Sequence, residues 1–115
     1  MRLADVQFSS RENAVVARLS GEIDLSNAQH ISAALLEATP NTSLALVLDL
    51  TDVTYLDSAG IQMIYRLREG VRARAQTLRL VVPADSPTND TLRLAGVAQH
   101  VQTIGTVDEA LSELT

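Results

Sequence analysis

The chain has no cysteine and no tryptophan, and all nine of its basic residues are arginine, so it also lacks lysine. Without cysteine there can be no disulfide, thiolate nucleophile or cysteine metal site, which fits a reducing compartment. Without lysine there is no Schiff-base chemistry and no phosphate-loop lysine. A response-regulator receiver domain, expected to carry an active-site lysine, is disfavoured for the same reason. Aromatic residues make up only 3% of the chain against 46% apolar residues, so the core must be aliphatic. No apolar run approaches the roughly 20 residues of a membrane span, and the N-terminal residues have no apolar segment of the signal-peptide kind. The expectation is a soluble, cytoplasmic protein with no membrane contact. A net charge of −5 argues against a nucleic-acid partner, which would call for a basic surface. An acidic chain suits a protein partner better.

At 115 residues the sequence is expected to form one domain, 1–115, that buries a core without staples. Val6 to Ser10 and Ala14 to Ser20 are expected as strands joined by the polar turn Arg11-Glu12-Asn13, with Gly21 to Asp24 as a short loop. Ser26-Asn27-Ala28-Gln29 fits a capping box, and the helix it opens carries Ile31, Leu35 and Ala38 on one face and stops before Pro40. Leu44 to Leu50 is apolar nearly throughout, which predicts a strand covered on both sides. Ile61, Ile64, Leu67 and Val71 then recur at helical spacing, with Met63 and Tyr65 widening the apolar side. Leu78 to Val82 is a further strand closed by Pro83. Ser86-Pro87 marks a helix start and Gly96 a helix end. His100 to Ile104 and Val107 to Leu114 close the pattern as a strand and a helix. The order β-β-α-β-α-β-α-β-α predicts an α/β fold: a mixed sheet of four to five strands with helices packed against it and a hairpin at the start.

The segment Asp49 to Gly60 carries the functional signal. Ser58 is placed where a strand has ended and a helix begins, and the first turn of a helix suits an anion such as a phosphoryl group. A plain N-cap accounts for a serine there equally well. Ala59 and Gly60 have almost no side chain, which would let another protein approach that hydroxyl. Ser26, Thr51 and Thr54 are weaker rivals as phosphoacceptors. Ser26 already has a role as a helix cap, and the two threonines suit a strand end and turn.

Leu-Asp-Ser-Ala-Gly-Ile at 56–61, after Leu-Asp-Leu-Thr at 48–51, resembles the signature of the STAS domain, and more narrowly that of the bacterial anti-sigma factor antagonists. Gly21-Glu22-Ile23-Asp24 resembles a second segment of that family, and Leu94-Ala95-Gly96-Val97 a third, in the same order. The resemblance implies the STAS fold, with the Ser58 loop beside the 21–24 loop. It implies that Ser58 is the serine phosphorylated by a partner kinase that binds ATP itself, with Asp24 and Asp57 as acidic neighbours. Asp24, Asp57, Ser58, Ala59 and Gly60 would then form the partner-binding surface. The implied function is an anti-sigma factor antagonist, not an enzyme. Unphosphorylated, it would bind a kinase-type anti-sigma factor and release a sigma factor, and phosphorylation at Ser58 would switch it off until a serine phosphatase reversed it. The alternative within the fold is an accessory subunit of a cytoplasmic complex such as a lipid-transport ATPase, with the Ser58 loop as a fixed docking surface. The family often carries basic residues early in the third helix; here the stretch is Thr88-Asn89-Asp90-Thr91, which leaves the cognate kinase open.

Nothing else in the sequence offers chemistry. His30 and His100 stand in no motif, so Ser58 lacks a base, and neither histidine has metal-ligand spacing with the carboxylates. No glycine-rich loop cradles a phosphate, so no cofactor is expected. Arg66, Arg68, Arg72 and Arg74 read as a solvated helix face, or else as a basic rim for an acidic partner.

Overall fold

Side chains pointing alternately to either side of the strands, and helical spacing between them, sort the aliphatic residues onto two faces of one sheet. The structure, a computed structural model, describes residues 5–11 and 13–112. The elements are β1 (Asp5–Arg11), β2 (Ala14–Ile23), α1 (Ala28–Ala38), β3 (Ala45–Leu56), α2 (Ser58–Arg72), β4 (Thr77–Val81), α3 (Pro87–Leu94), β5 (Gln102–Ile104) and α4 (Val107–Ser112), with a 3-10 turn at Val97–Gln99 before β5. This is the predicted order. Glu12 of the expected turn and residues 113 and 114 of the expected last helix lie outside the described residues.

The five strands lie side by side in chain order, β1 antiparallel to β2 and the rest parallel. When consecutive parallel strands are neighbours, crossovers of one hand put their helices on one face. That is what the core shows. Ala17, Leu19, Leu46, Leu48 and Leu80 pack with Ile31 and Leu35 of α1, Ile64 and Leu67 of α2, and Leu92 of α3. The alternate residues Val16, Val47 and Val81 meet Ala110, Val107 and Leu111 of α4 on the opposite face. β3 is therefore covered on both sides, as its unbroken apolar run predicts.

Two strands run further than their apolar runs suggest. β2 continues through Gly21-Glu22-Ile23, expected as a loop, and β3 continues through Thr51 to Leu56. Their pairing shifts register between Arg18 and Ser20 and again between Gly21 and Glu22. Gly21 sits at φ 93°, which a side chain rarely tolerates. A glycine at this irregularity lets the strand bend and stay paired to its end, at Ile23 opposite Leu56. Gly96, at φ 73°, ends α3 in the left-handed conformation expected of a C-cap glycine. Ser86 accepts from the Asn89 amide at 3.1 Å, so this N-cap also forms as predicted.

Candidate functional site

The extended ends of β2 and β3 deliver the 21–24 segment and the Ser58 turn to one edge of the molecule. The Asp57 amide donates to the Ile23 carbonyl at 3.3 Å, tying the two segments by their backbones. Asp57 is the N-cap of α2, in place of the cap expected at Ser58. Its Oδ1 accepts from the amides of Ala59 (2.9 Å) and Gly60 (3.1 Å). Ser58 is thereby moved to the first helical position, where it is exposed. Among the described residues, none engages its hydroxyl. Asp57 thus occupies the amides of Ala59 and Gly60, so a phosphoryl group on Ser58 would share this end of α2 with a carboxylate.

Gly60 is small for a different reason from the one its sequence suggests. It is buried, and a Cβ there would lie 2.3 Å from Leu56 Cδ1, 2.9 Å from Leu56 Cγ and 3.3 Å from Ile23 Cγ2. Its missing side chain lets α2 close onto the ends of β2 and β3. The surface a partner could touch is therefore Ser58 with the half-buried Ala59, and Gly60 lies beneath it.

Asp24 is buried, at 8% exposure, where an exposed loop residue was expected. Its Oδ1 accepts from the Ser26 amide at 2.9 Å and from the Ser26 hydroxyl, a turn closed by an aspartate on the residue two positions on. The predicted capping box is therefore absent. The Ser26 hydroxyl is spent on Asp24, α1 starts at Ala28, and its N-cap, Asn27, makes no side-chain cap bond. Asn27 instead donates to the Glu22 carbonyl (2.9 Å) and accepts from the Asp24 amide (3.0 Å), binding the loop to itself. The first-turn amide of Ala28 is met by the Asp24 carbonyl at 2.9 Å.

Around these residues lies a shallow groove of about 520 Å³ lined by Glu22, Asp24, Leu25, Ser26, Tyr55 and Asp57. Leu25 is 84% exposed and Tyr55 49%. The two large apolar side chains line the same groove, framed by the carboxylates of Glu22, Asp24 and Asp57. Sequence reasoning missed both. Leu25 stands just after the Gly-Glu-Ile-Asp residues that carry the resemblance, and Tyr55 lies beyond Leu50, where the apolar run predicts the strand to end.

The other candidates have structural roles. The Thr51 hydroxyl donates to Asp49 Oδ1 at 2.6 Å, and both Thr51 and Thr54 lie within β3. Of the arginines, Arg68 Nε donates to the His100 carbonyl (2.9 Å), and Arg74 donates to the carbonyls of Leu36 (3.0 Å) and Thr39 (2.8 Å). These two fasten the α2 region to its neighbours, which neither a solvated face nor a docking rim anticipates. Arg72 approaches Glu69 at 3.8 Å and Arg66 is exposed. In the 88–91 stretch, Thr88 is buried and its hydroxyl donates to the Val53 carbonyl at 3.0 Å, fixing α3 to β3. His30 is exposed on α1, and His100 sits edge-on to Tyr65 with ring centres 5.8 Å apart. Among the described residues no group of three histidine or carboxylate side chains could hold a metal ion, and no helix is long and apolar enough to cross a membrane.

A mixed five-stranded sheet with helices packed against it, and a serine at the turn into the second helix, is the arrangement the sequence motifs anticipated; the cap at Asp57 is not. The chain belongs to the STAS domain family, whose model matches residues 5–110. At the sequence level it is similar to the anti-sigma-F factor antagonist RsfB of Mycobacterium tuberculosis, 28% identical over 108 residues, spanning 93% of this chain and 86% of that one. In structure it is similar to an anti-sigma factor antagonist from Mycobacterium paratuberculosis, with a TM-score of 0.84 at 23% identity over 96% of this chain and 93% of the other. It is similar also to the Bacillus cell fate determinant SpoIIAA in its phosphorylated form, with a TM-score of 0.67 at 21% identity over 96% and 100% of the two chains.

Proposed function

We propose that this chain is an anti-sigma factor antagonist, one STAS domain over 1–115, that binds a kinase-type anti-sigma factor and lets go when Ser58 is phosphorylated. The observation that carries the reading is the exposed Ser58 hydroxyl on a rigidly capped helix end, next to an apolar pad and three carboxylates. The name of the M. tuberculosis relative, an anti-sigma-F factor antagonist, points the same way. The partner would carry the ATP and transfer its phosphoryl group; this chain would be the substrate and not an enzyme.

The physics of such a switch is local. The neutral surface offers Leu25 and Tyr55 as apolar anchors, which a partner can desolvate favourably. A phosphoryl group adds close to two negative charges at neutral pH. Beside Asp57, Asp24 and Glu22 those charges add to a surface already rich in carboxylates, with the amides of Ala59 and Gly60 taken by Asp57. The added charge then repels the partner while the core is untouched. A serine phosphatase would restore binding. The exchange would take place in the cytoplasm, where both ATP and sigma factors are found.

The test is to incubate the protein with ATP and a candidate anti-sigma kinase and map phosphate by mass spectrometry. Phosphate on Ser58 in the wild type and none in Ser58→Ala is the expected result. Full phosphorylation of Ser58→Ala would overturn the assignment and turn attention to Ser26, Thr51 and Thr54.

A further inference from the structure

β1 is an edge strand, and among the described residues no strand pairs with its outer side. Its register with β2 is unbroken over seven residues, Asp5 opposite Ser20 through Arg11 opposite Ala14. Such edges are usually blunted by charged side chains, proline or a bulge; β1 has no proline or bulge and carries charge only at its two ends, Asp5 and Arg11. The opposite edge, β5, is only three residues long and is protected by its shortness. β1 also leaves Phe8 46% exposed at its centre.

We infer that the outer edge of β1 pairs antiparallel with β1 of a second copy of this chain, about a two-fold axis through Phe8. The register follows from charge. In β1 the outward-facing backbone groups belong to alternate residues, and both copies share the same set. Self-pairing is therefore restricted to registers centred on a residue, here Gln7, Phe8 or Ser9. Centring on Phe8 pairs all seven residues and sets Asp5 opposite the second copy's Arg11, and Arg11 opposite its Asp5. Centring on Gln7 or Ser9 breaks both ion pairs. Directly opposed side chains share a face, so each ion pair forms on the α4 side, where Asp5, Gln7, Ser9 and Arg11 lie by alternation. The two Phe8 rings meet on the other side, where Val6 already packs against the core. Arg11 now approaches Asp108 at 3.5 Å, with its side chain 50% exposed. That contact uses one Nη of a group with five N–H donors, so Arg11 can serve both carboxylates. The pairing needs nothing from the Ser58 turn, which lies beyond β2 at the far end of β3, and it stands or falls apart from the proposed switch.

The full chain would be run by sedimentation velocity over a concentration series. A reversible monomer–dimer equilibrium is expected. Asp5→Arg or Arg11→Asp alone should weaken it about tenfold, and the double exchange should restore it. Since the chain has no cysteine of its own, a single introduced cysteine reports the register. Phe8→Cys would face its mate at about 4.5–5.5 Å between Cα atoms, within disulfide reach. Ser10→Cys would face Val6, roughly 14 Å from its mate along the strand. Under mild oxidation Phe8→Cys should give a covalent dimer and Ser10→Cys should not. A monomer at every concentration, a dimer indifferent to both charge reversals, or equal cross-linking at the two cysteines would each overturn the inference.

Discussion

Asp57 ought to matter first as a helix cap and only then as a charge, and two variants separate the two roles. Its half-buried carboxylate accepts from two α2 amides, at 2.9 and 3.1 Å, that have no other partner in the first turn. Replacing an N-cap aspartate by alanine costs about 1 kcal/mol, up to about 2 where the site is well formed. Asparagine caps nearly as well but gives up the charge–dipole contribution, worth about 0.3–1 kcal/mol. Urea or thermal unfolding followed by circular dichroism should therefore rank wild type above Asp57→Asn above Asp57→Ala. For a chain of this size 1 kcal/mol corresponds to about 4 °C in Tm, so Asp57→Ala should melt roughly 4–8 °C low. The order matters more than the sizes. Asp57→Ala as stable as the wild type, or Asp57→Asn as damaged as Asp57→Ala, would refute the capping argument. If the cap holds, binding measured on the folded Asp57→Asn protein reports the charge alone.

Gly60→Ala should destabilise by about 1 kcal/mol despite alanine's better helix propensity. Overpacking against Leu56 and Ile23 costs about 1–3 kcal/mol, against a propensity gain of at most about 1; a raised Tm would contradict the packing seen there. Asp24→Ala should cost about 1 kcal/mol by removing the acceptor of the Ser26 amide and hydroxyl, which water only partly replaces at this exposed residue, read as a lower urea midpoint, and a melt unchanged from wild type would show that the turn closes without its carboxylate. Leu25→Ala should leave stability within about 0.5 kcal/mol, because the side chain is 84% exposed. The same variant should weaken anti-sigma factor binding about tenfold in calorimetry, and undiminished affinity would remove the apolar pad from the interface.

The element order was legible because apolar periodicity is a property of the chain itself, and the Ser86 and Gly96 helix signals could be read from local chemistry. The ends of β2 and β3 were not. From Thr51 to Leu56 exposed and buried positions are mixed and the pairing with β2 is irregular, so Asp52 and Thr54 interrupt the apolar run without ending the pairing. Gly21 reads as a loop residue, yet it marks a strand irregularity whose purpose depends on the neighbouring strand. The α1 start was misread because the Ser26 hydroxyl bonds Asp24, two residues back, and spacing alone does not choose between that bond and a cap. Gly60 shows the same limit: a glycine beside a candidate site looks like an open door, and only the positions of Leu56 and Ile23 show that it is filled from inside. Ser58 itself was visible because it lies within a contiguous motif; Leu25 and Tyr55 come together only when β2 and β3 are paired to their ends.

The central claim is that a phosphoryl group on Ser58 abolishes partner binding through charge at the surface, with the fold unchanged. Titration calorimetry of the unphosphorylated and the Ser58-phosphorylated protein against the same kinase-type anti-sigma factor measures this directly, with circular dichroism on both forms. The account predicts tight binding by the unphosphorylated form, a loss of at least a hundredfold on phosphorylation and superimposable spectra. Equal affinity of the two forms would contradict it.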